Sequence, residues 1–274
     1  METQYLQLLH ELLTKGERRI TRSGTVYSSF GHSITCDLSK HFPLLTTKKM
    51  FWRGIVEELA WFLRGSTDVS ELRKEKVHIW DGNTEHRDYD AGPVYGFQWR
   101  HFGASYTTCN AQYEGKGQDQ IKNVLELIQN DPTSRRILMS AWNPQHQHQM
   151  ALPPCHVSYQ FYVDCMGRLS CQMYQRSADV FLGLPFNIAS TALLTHLVAH
   201  ECDLKVGKLR IVIGDAHLYE EHAGVAAIQM QRMAYEPPTI TIDRKKDGLW
   251  NVLKSEIKMG EYKSHGALKA TMAK

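Results

Sequence analysis

No stretch of this 274-residue sequence approaches the roughly 20 apolar residues that a membrane span requires. The longest apolar runs, 51–63 and 192–199, are interrupted by charge or histidine. The glycine-rich nucleotide loops are missing too: there is neither GxGxxG after a strand-like run nor GxxxxGK followed by Ser or Thr. Cysteines are few, and Cys36, Cys109, Cys155, Cys165, Cys171 and Cys202 show neither Cys-x-x-Cys spacing nor the density of a disulfide scaffold. That usage fits a reducing compartment. The opening residues METQYLQLLHELLTKG lack the basic n-region and apolar h-region of a signal peptide, so a cytoplasmic protein is expected. A formal net charge of +3 is too weak to imply a nucleic-acid partner. No repeat, low-complexity tract or flexible linker divides the chain. A single domain, 1–274, is expected, with an irregular excursion between about 66 and 117.

What is present is an ordinary globular composition, 42% hydrophobic, in a chain long enough to bury one large core. Tyr5, Leu6, Leu9, Leu12 and Leu13 share one stripe, which predicts a first helix stopping at Gly16. Further helices are expected over 51–63, over 118–129 with Ile121, Val124, Leu125 and Ile128 in register, and over 187–202, the most apolar. A last, exposed helix is expected over 220–233. Strand-like runs lie at 137–142, 156–163, 168–175, 208–214 and 239–242. Their irregular mixing with helices predicts an α+β fold built on a mixed β-sheet.

Cys155 follows two prolines in Leu152-Pro153-Pro154-Cys155-His156, a stiff approach that would hold it at the mouth of a strand. A buried turn cysteine has the same local pattern. The next two strands, joined by Asp164-Cys165-Met166-Gly167, read as an antiparallel hairpin. Pairing Val163 with Leu169 carries Cys155 to about Ser177 and His156 to about Arg176. Thiol, guanidinium and hydroxyl then share one patch. An arginine lowers a thiol pKa from about 8.5 toward the nucleophilic thiolate, and can also pin an anion.

The helix over 51–63 carries adjacent acids. At about 100° per residue, Glu57 falls with Arg53, Arg64 and Trp61, whereas Glu58 falls with Phe51, Ile55 and Phe62. Glu57 therefore reads as a solvated acid. Glu58 reads as a buried carboxyl whose pKa is raised toward neutrality, as a general acid/base needs. Ser134-Arg135-Arg136, before an apolar strand, suits a phosphate, or is a solvated basic pair. His146 and His148 lack further ligands at metal spacing, and adjacent strand residues Cys155 and His156 face opposite ways, so no metal site is expected.

Along nearly its whole length the chain resembles the thymidylate synthases. The segments that carry the resemblance occur in family order: FPLLTTKK, EELAWFLRGST, IWDGN, GPVYGFQWRHFG, DPTSRRI, MALPPCH, CQMYQRSADVFLGLPFNIAS and GDAHLYEEH. The resemblance implies a homodimer packed through the faces of a large twisted mixed sheet. It implies reductive methylation of dUMP to dTMP, with methylenetetrahydrofolate as the co-substrate and no metal. Cys155 matches the nucleophile that adds to C6 of the ring, and Glu58 the acid managing protons near O4. Tyr95 matches the residue tied to proton removal from C5, with His156 in the same water network. Asn187 matches the amide that reads the O4/N3 edge, and His217 and Tyr219 the sugar contacts. Arg22, Arg176 and Ser177 match phosphate ligands within one subunit, and Arg135 and Arg136 the pair donated across the dimer. Ile79, Trp80, Asn83, Asp179, Leu182 and Phe186 match the folate side, Asp179 also counting among the catalytic set, and Lys48 matches the contact to the folate's glutamate tail.

Several positions depart from the family pattern. SGTVYSSFG follows Arg22 where TGTGT is common, Ala178 stands for cysteine or glycine, Thr191 for tyrosine and Glu221 for asparagine. The C-terminus, ALKATMAK, ends in Lys274 where an apolar residue usually closes over the folate. A dUMP hydroxymethylase, in which water replaces hydride, is the alternative, while Asn187 argues against a cytosine-type relative. A cysteine hydrolase would have no use for the arginines, and a non-catalytic nucleotide- or RNA-binding protein would tolerate loss of Cys155.

Overall fold

The computed structural model describes residues 1–271. The first helix, α1 (Glu2–Lys15), buries Tyr5, Leu8, Leu9 and Leu12 and ends where the Gly16 N–H bonds the Leu12 carbonyl. Two strands that the sequence pattern did not suggest follow, β1 (Glu17–Thr21) and β2 (Gly24–Asp37). Every residue of β1 is exposed, so this charged edge strand has no apolar face to betray it. Next comes α2 (Trp52–Leu63), which buries Ile55, Val56, Leu59, Ala60, Trp61, Phe62 and Leu63, nearly its whole circumference.

The expected excursion contains short helices: α3 (Val69–Lys74), α4 (Asp81–Thr84) and α5 (Tyr95–His101). Asp68 caps α3 by accepting from the Ser70 N–H at 2.8 Å. Asp119 does the same for α6 (Gln120–Asn130) through Lys122. Then follow β3 (Leu138–Ser140), β4 (His156–Val163), β5 (Arg168–Asp179), α7 (Gly183–Glu201) and β6 (Lys205–Tyr219). A 3-10 turn, Glu220–His222, leads into α8 (Ala223–Met230), and β7 (Ile240–Ile242) pairs with β8 (Ile257–Met259). The helix expected over 220–233 is thus shorter, and it buries Ala226 and Gln229 instead of lying exposed.

The main sheet runs β1-β2-β6-β5-β4-β3, with β5 and β6 parallel and the other neighbours antiparallel, a mixed sheet within an α+β fold. Helix α7 lies across β5 and β6, and Met173, Ile211 and Ile213 are buried in the core that α7 shares. On the residues that alternate with these, Tyr162 and Tyr174 are exposed, as are Phe30 and Leu138 elsewhere on the sheet. No helix among the described residues is long and apolar enough to cross a membrane.

The hairpin forms as the spacing predicts at its turn, Val163 opposite Leu169. A bulge between His156 and Ser158 then shifts the register by one. His156 therefore faces Gln175, not Arg176, and the Arg176 N–H donates to the Cys155 carbonyl at 2.9 Å. The thiol is beside the arginine, one residue earlier than counting gave.

Candidate active site

Cys155 is held on both sides of its backbone. Its N–H donates to the Tyr95 hydroxyl at 2.7 Å, from the first residue of α5, and its carbonyl takes the Arg176 N–H from β5. The Arg176 side chain is braced by the same proline segment: Nε donates to the Pro154 carbonyl at 2.8 Å and Nη2 to the Pro153 carbonyl at 2.9 Å. Its guanidinium lies 5.5 Å from the centre of the Trp142 ring. Two donors fix the fork and the others remain for an anion.

The thiol itself differs from the sequence expectation. Burial pushes the Cys155 pKa up, and Arg176 and Tyr95 only partly oppose it, so the net direction is upward. Arg176 pulls as expected but does not overcome desolvation.

Cys155 opens on a cavity of about 380 Å³. At its chemical end stand Glu58, Tyr95, His156, Ser177 and Asn187, and along its wall Ile79, Trp80, Asn83, Asp179, Leu182 and Phe186. The Glu58 carboxylate accepts from the Trp80 indole N–H at 2.8 Å. Burial raises its pKa to about 7 against that hydrogen bond. Glu57 is no ordinary solvated acid: α2 buries Trp61 as well, and burial followed by Glu75 raises the Glu57 pKa too. His156 is buried with Nδ1 3.0 Å from the Tyr159 hydroxyl, and burial drives its pKa down to about 4 despite a bond to Asn187. At neutral pH it is an uncharged ring. One Asp179 oxygen accepts the Phe181 and Leu182 N–H groups, both at 3.0 Å, and so turns the end of β5 into α7.

Other expected residues lie elsewhere. His217 and Tyr219 sit at the end of β6, with rings 5.5 Å apart, and His217 pairs in register with Asp179. Its Nδ1 lies 3.1 Å from Asp215. Arg22 is exposed in the turn before β2, on the Tyr219 side. Arg135 and Arg136 are exposed ahead of β3 and do not line the cavity of their own protomer. Lys48 does not reach the cavity either: it is buried, its ammonium donates to the Phe181 carbonyl and lies over the Phe181 ring, and burial lowers its pKa to about 8. Lys274 lies outside the described residues.

A cysteine beside a braced arginine, with a carboxyl near neutrality, gives the cavity groups that can support nucleophilic and proton-transfer chemistry on an anionic ligand. Residues 3–274 match the family model described as thymidylate synthase. The chain belongs to the thymidylate synthase family. It is 48% identical, over 99% of its length, to the bifunctional dihydrofolate reductase-thymidylate synthase of Zea mays, of which it covers 54%. It is 45% identical, again over 99% of the chain, to the bifunctional dihydrofolate reductase-thymidylate synthase of Paramecium tetraurelia, covering 61% of that protein. To the thymidylate synthase of Human herpesvirus 8 type P (isolate GK18) it is also 45% identical over 99% of the chain, covering 84%. The chain thus spans little more than half the length of the plant relative it matches.

Within this thymidylate synthase fold one residue of the site was not foreseen. Gln175 is buried between Cys155 and Asn187 in the cavity wall, and its Nε2 donates to Asn187 Oδ1 at 2.8 Å and to the Ser177 carbonyl at 3.0 Å. It fixes which end of the Asn187 amide faces the cavity, leaving the NH2 as donor. The only sequence signal was a polar residue at an inward position of a strand whose register had yet to be set.

Proposed function

We propose that the protein is a thymidylate synthase in activity as well as in family, acting as one catalytic domain over residues 1–274. It would convert dUMP to dTMP through a covalent bond between the Cys155 sulfur and C6 of the ring. The observation that carries this reading is the pairing of Cys155 with Arg176 at the cavity's polar end, with Glu58, Gln175 and Asn187 around it. Arg176 already opposes the burial that raises the thiol's pKa, and the thiol would pass its proton to water as the sulfur adds to C6. Sulfur addition at C6 pushes electron density to C5 and O4, where the Asn187 amide and a proton from Glu58 would stabilise it. With a pKa of about 7, Glu58 can give and take that proton. Tyr95, already on the Cys155 N–H, would orient the water that removes the C5 proton. C5 would bond the methylene of methylenetetrahydrofolate held along Trp80, Asn83, Leu182 and Phe186; loss of the C5 proton then breaks the methylene–nitrogen bond and frees tetrahydrofolate, whose hydride reduces the exocyclic methylene and leaves dihydrofolate. Expulsion of the sulfur from C6 then restores the thiolate and the aromatic edge of the product.

Arg135 and Arg136 would reach the phosphate of a neighbouring protomer, since both are exposed and neither lines the cavity of its own. A homodimer packed through the open sheet face would bring them there. No metal or nucleic acid enters this scheme. Six free cysteines suit the reducing cytoplasm. The test is the product. With dUMP and methylenetetrahydrofolate, dTMP and dihydrofolate should appear in equal amounts, and 5-fluoro-dUMP should trap a covalent complex lost in Cys155→Ala. Hydroxymethyl-dUMP with tetrahydrofolate, or no covalent complex, would overturn the assignment.

A further inference from the structure

The last described residues of the chain return to the cavity. The His265 N–H donates to the Thr46 carbonyl at 2.8 Å, and Arg232 Nη1 donates to both the Thr47 and Gly266 carbonyls at 2.8 Å. Leu268 and Ala270 pack on the core, and Ala270 is part of the cavity wall with Leu182 and Phe186. Beyond Gly266 the anchor is His222. Its ring is 1% exposed, closed between the rings of Phe181 (5.6 Å) and Tyr219 (5.4 Å). Its Nε2 lies 2.8 Å from the Thr271 carbonyl, and the nearest competitor, Glu221 Oε1, is 3.5 Å away. A carbonyl only accepts, so the hydrogen is on Nε2. Nδ1 has no hydrogen-bond partner among the described residues. An imidazole serving only as filler would cost polar burial at both nitrogens; this one gives its donor to the Thr271 carbonyl.

We infer that His222 is a positioning residue whose Nε2–H latches the Thr271 carbonyl and so sets the C-terminal wall of the cavity on its co-substrate side. The ring touches Tyr219 from β6 and Phe181 from the turn into α7, so the latch is mounted on the two elements that frame the site. Its effect should fall on the molecule that occupies the Leu182, Phe186 and Ala270 side, and not on the nucleotide at Cys155. That consequence rests on the reading that methylenetetrahydrofolate lies there.

Two substitutions separate the donor from the ring. His222→Phe keeps an aromatic between Phe181 and Tyr219 and removes the donor. His222→Gln places an amide N–H near the same spot. Hydrogen exchange of the peptide 265–271 in the free protein should speed up about 10-fold in His222→Phe and stay near the unsubstituted rate in His222→Gln. The KM for methylenetetrahydrofolate should rise by about 10-fold in His222→Phe, with dUMP affinity within about 2-fold. Unchanged exchange in His222→Phe, or equal damage in His222→Gln, overturns the latch. Faster exchange with an unchanged KM overturns its link to the co-substrate. Lack of any folate turnover in the unsubstituted protein would sink the functional reading while leaving the exchange result to stand alone.

Discussion

Glu58 shows how one residue can be costly to the fold and useful to the site. Its carboxyl sits in the cavity wall with one indole N–H as partner, and burial lifts its pKa from 4.5 to about 7. Between those values the folded protein binds more protons than the unfolded chain, so stability falls as pH rises from about 4.5 to about 7. The penalty is complete above that range, on the order of 3 kcal/mol. Glu58→Gln should therefore be more stable than the parent at pH 8, by up to ~3 kcal/mol, with the difference falling to about a quarter of that near pH 5 and almost gone near pH 4. Denaturant unfolding at these pH values measures this, and a pH-independent difference would refute it. The same variant should lose about 100-fold or more in kcat with dUMP affinity nearly intact. The sequence foretold this residue because helical spacing set Glu58 with apolar neighbours. It misjudged Glu57 because spacing cannot say that a second layer covers the other side of α2.

At the scale of elements, what was legible depended on how far the signal reached along the chain. The β4–β5 hairpin was readable because both strands and the turn are contiguous, and only the bulge moved Cys155 from Ser177 to Arg176. Strand β1 was not readable, since an exposed charged edge looks like a loop, and α3, α4 and α5 are too short for periodicity. Gln175 was hidden for another reason: its role comes from Asn187, which α7 delivers from twelve residues away. The contact of α5 with α2 was also invisible, although one glycine makes it possible. A Cβ on Gly96 would lie 2.7 Å from the Phe62 carbonyl oxygen and 2.8 Å from its Cα, backbone that cannot yield. Gly96→Ala should cost about 1–3 kcal/mol by pushing the helices apart, and should lower kcat because the neighbouring Tyr95 holds Cys155. Gly224, in α8, has nothing within 4 Å of such a Cβ. Gly224→Ala should be neutral or stabilising by up to ~1 kcal/mol. Thermal melts of the two variants check the contrast, and similar losses in both would show that close approach is not the cause.

For the whole molecule, the sheet has one face spent on α7 and another left open. Across the open face the register aligns Ser158, Tyr174, Val212 and Ser33 in one row, and Leu138, Gln160, Gln172, Arg210 and Thr35 in the next. On this face Tyr162 is 65% exposed. Arg135 and Arg136 stand just ahead of Leu138, at the start of β3, an edge strand of the sheet. If two copies meet face to face, each active site takes its Cys155 from one protomer and these arginines from the other. Arithmetic then gives a sharp expectation. Cys155→Ala and Arg135→Ala homodimers should each be inactive or nearly so, the first lacking the nucleophile, the second a phosphate ligand. Random exchange makes half the dimers hybrids, and each hybrid has one site with both residues intact. The mixture should thus recover about a quarter of the unsubstituted activity per site, and recovery should follow the rate of subunit exchange. Activity staying at the average of the two parents after exchange, with hybrids demonstrated by mass, would mean that each protomer builds its phosphate site alone.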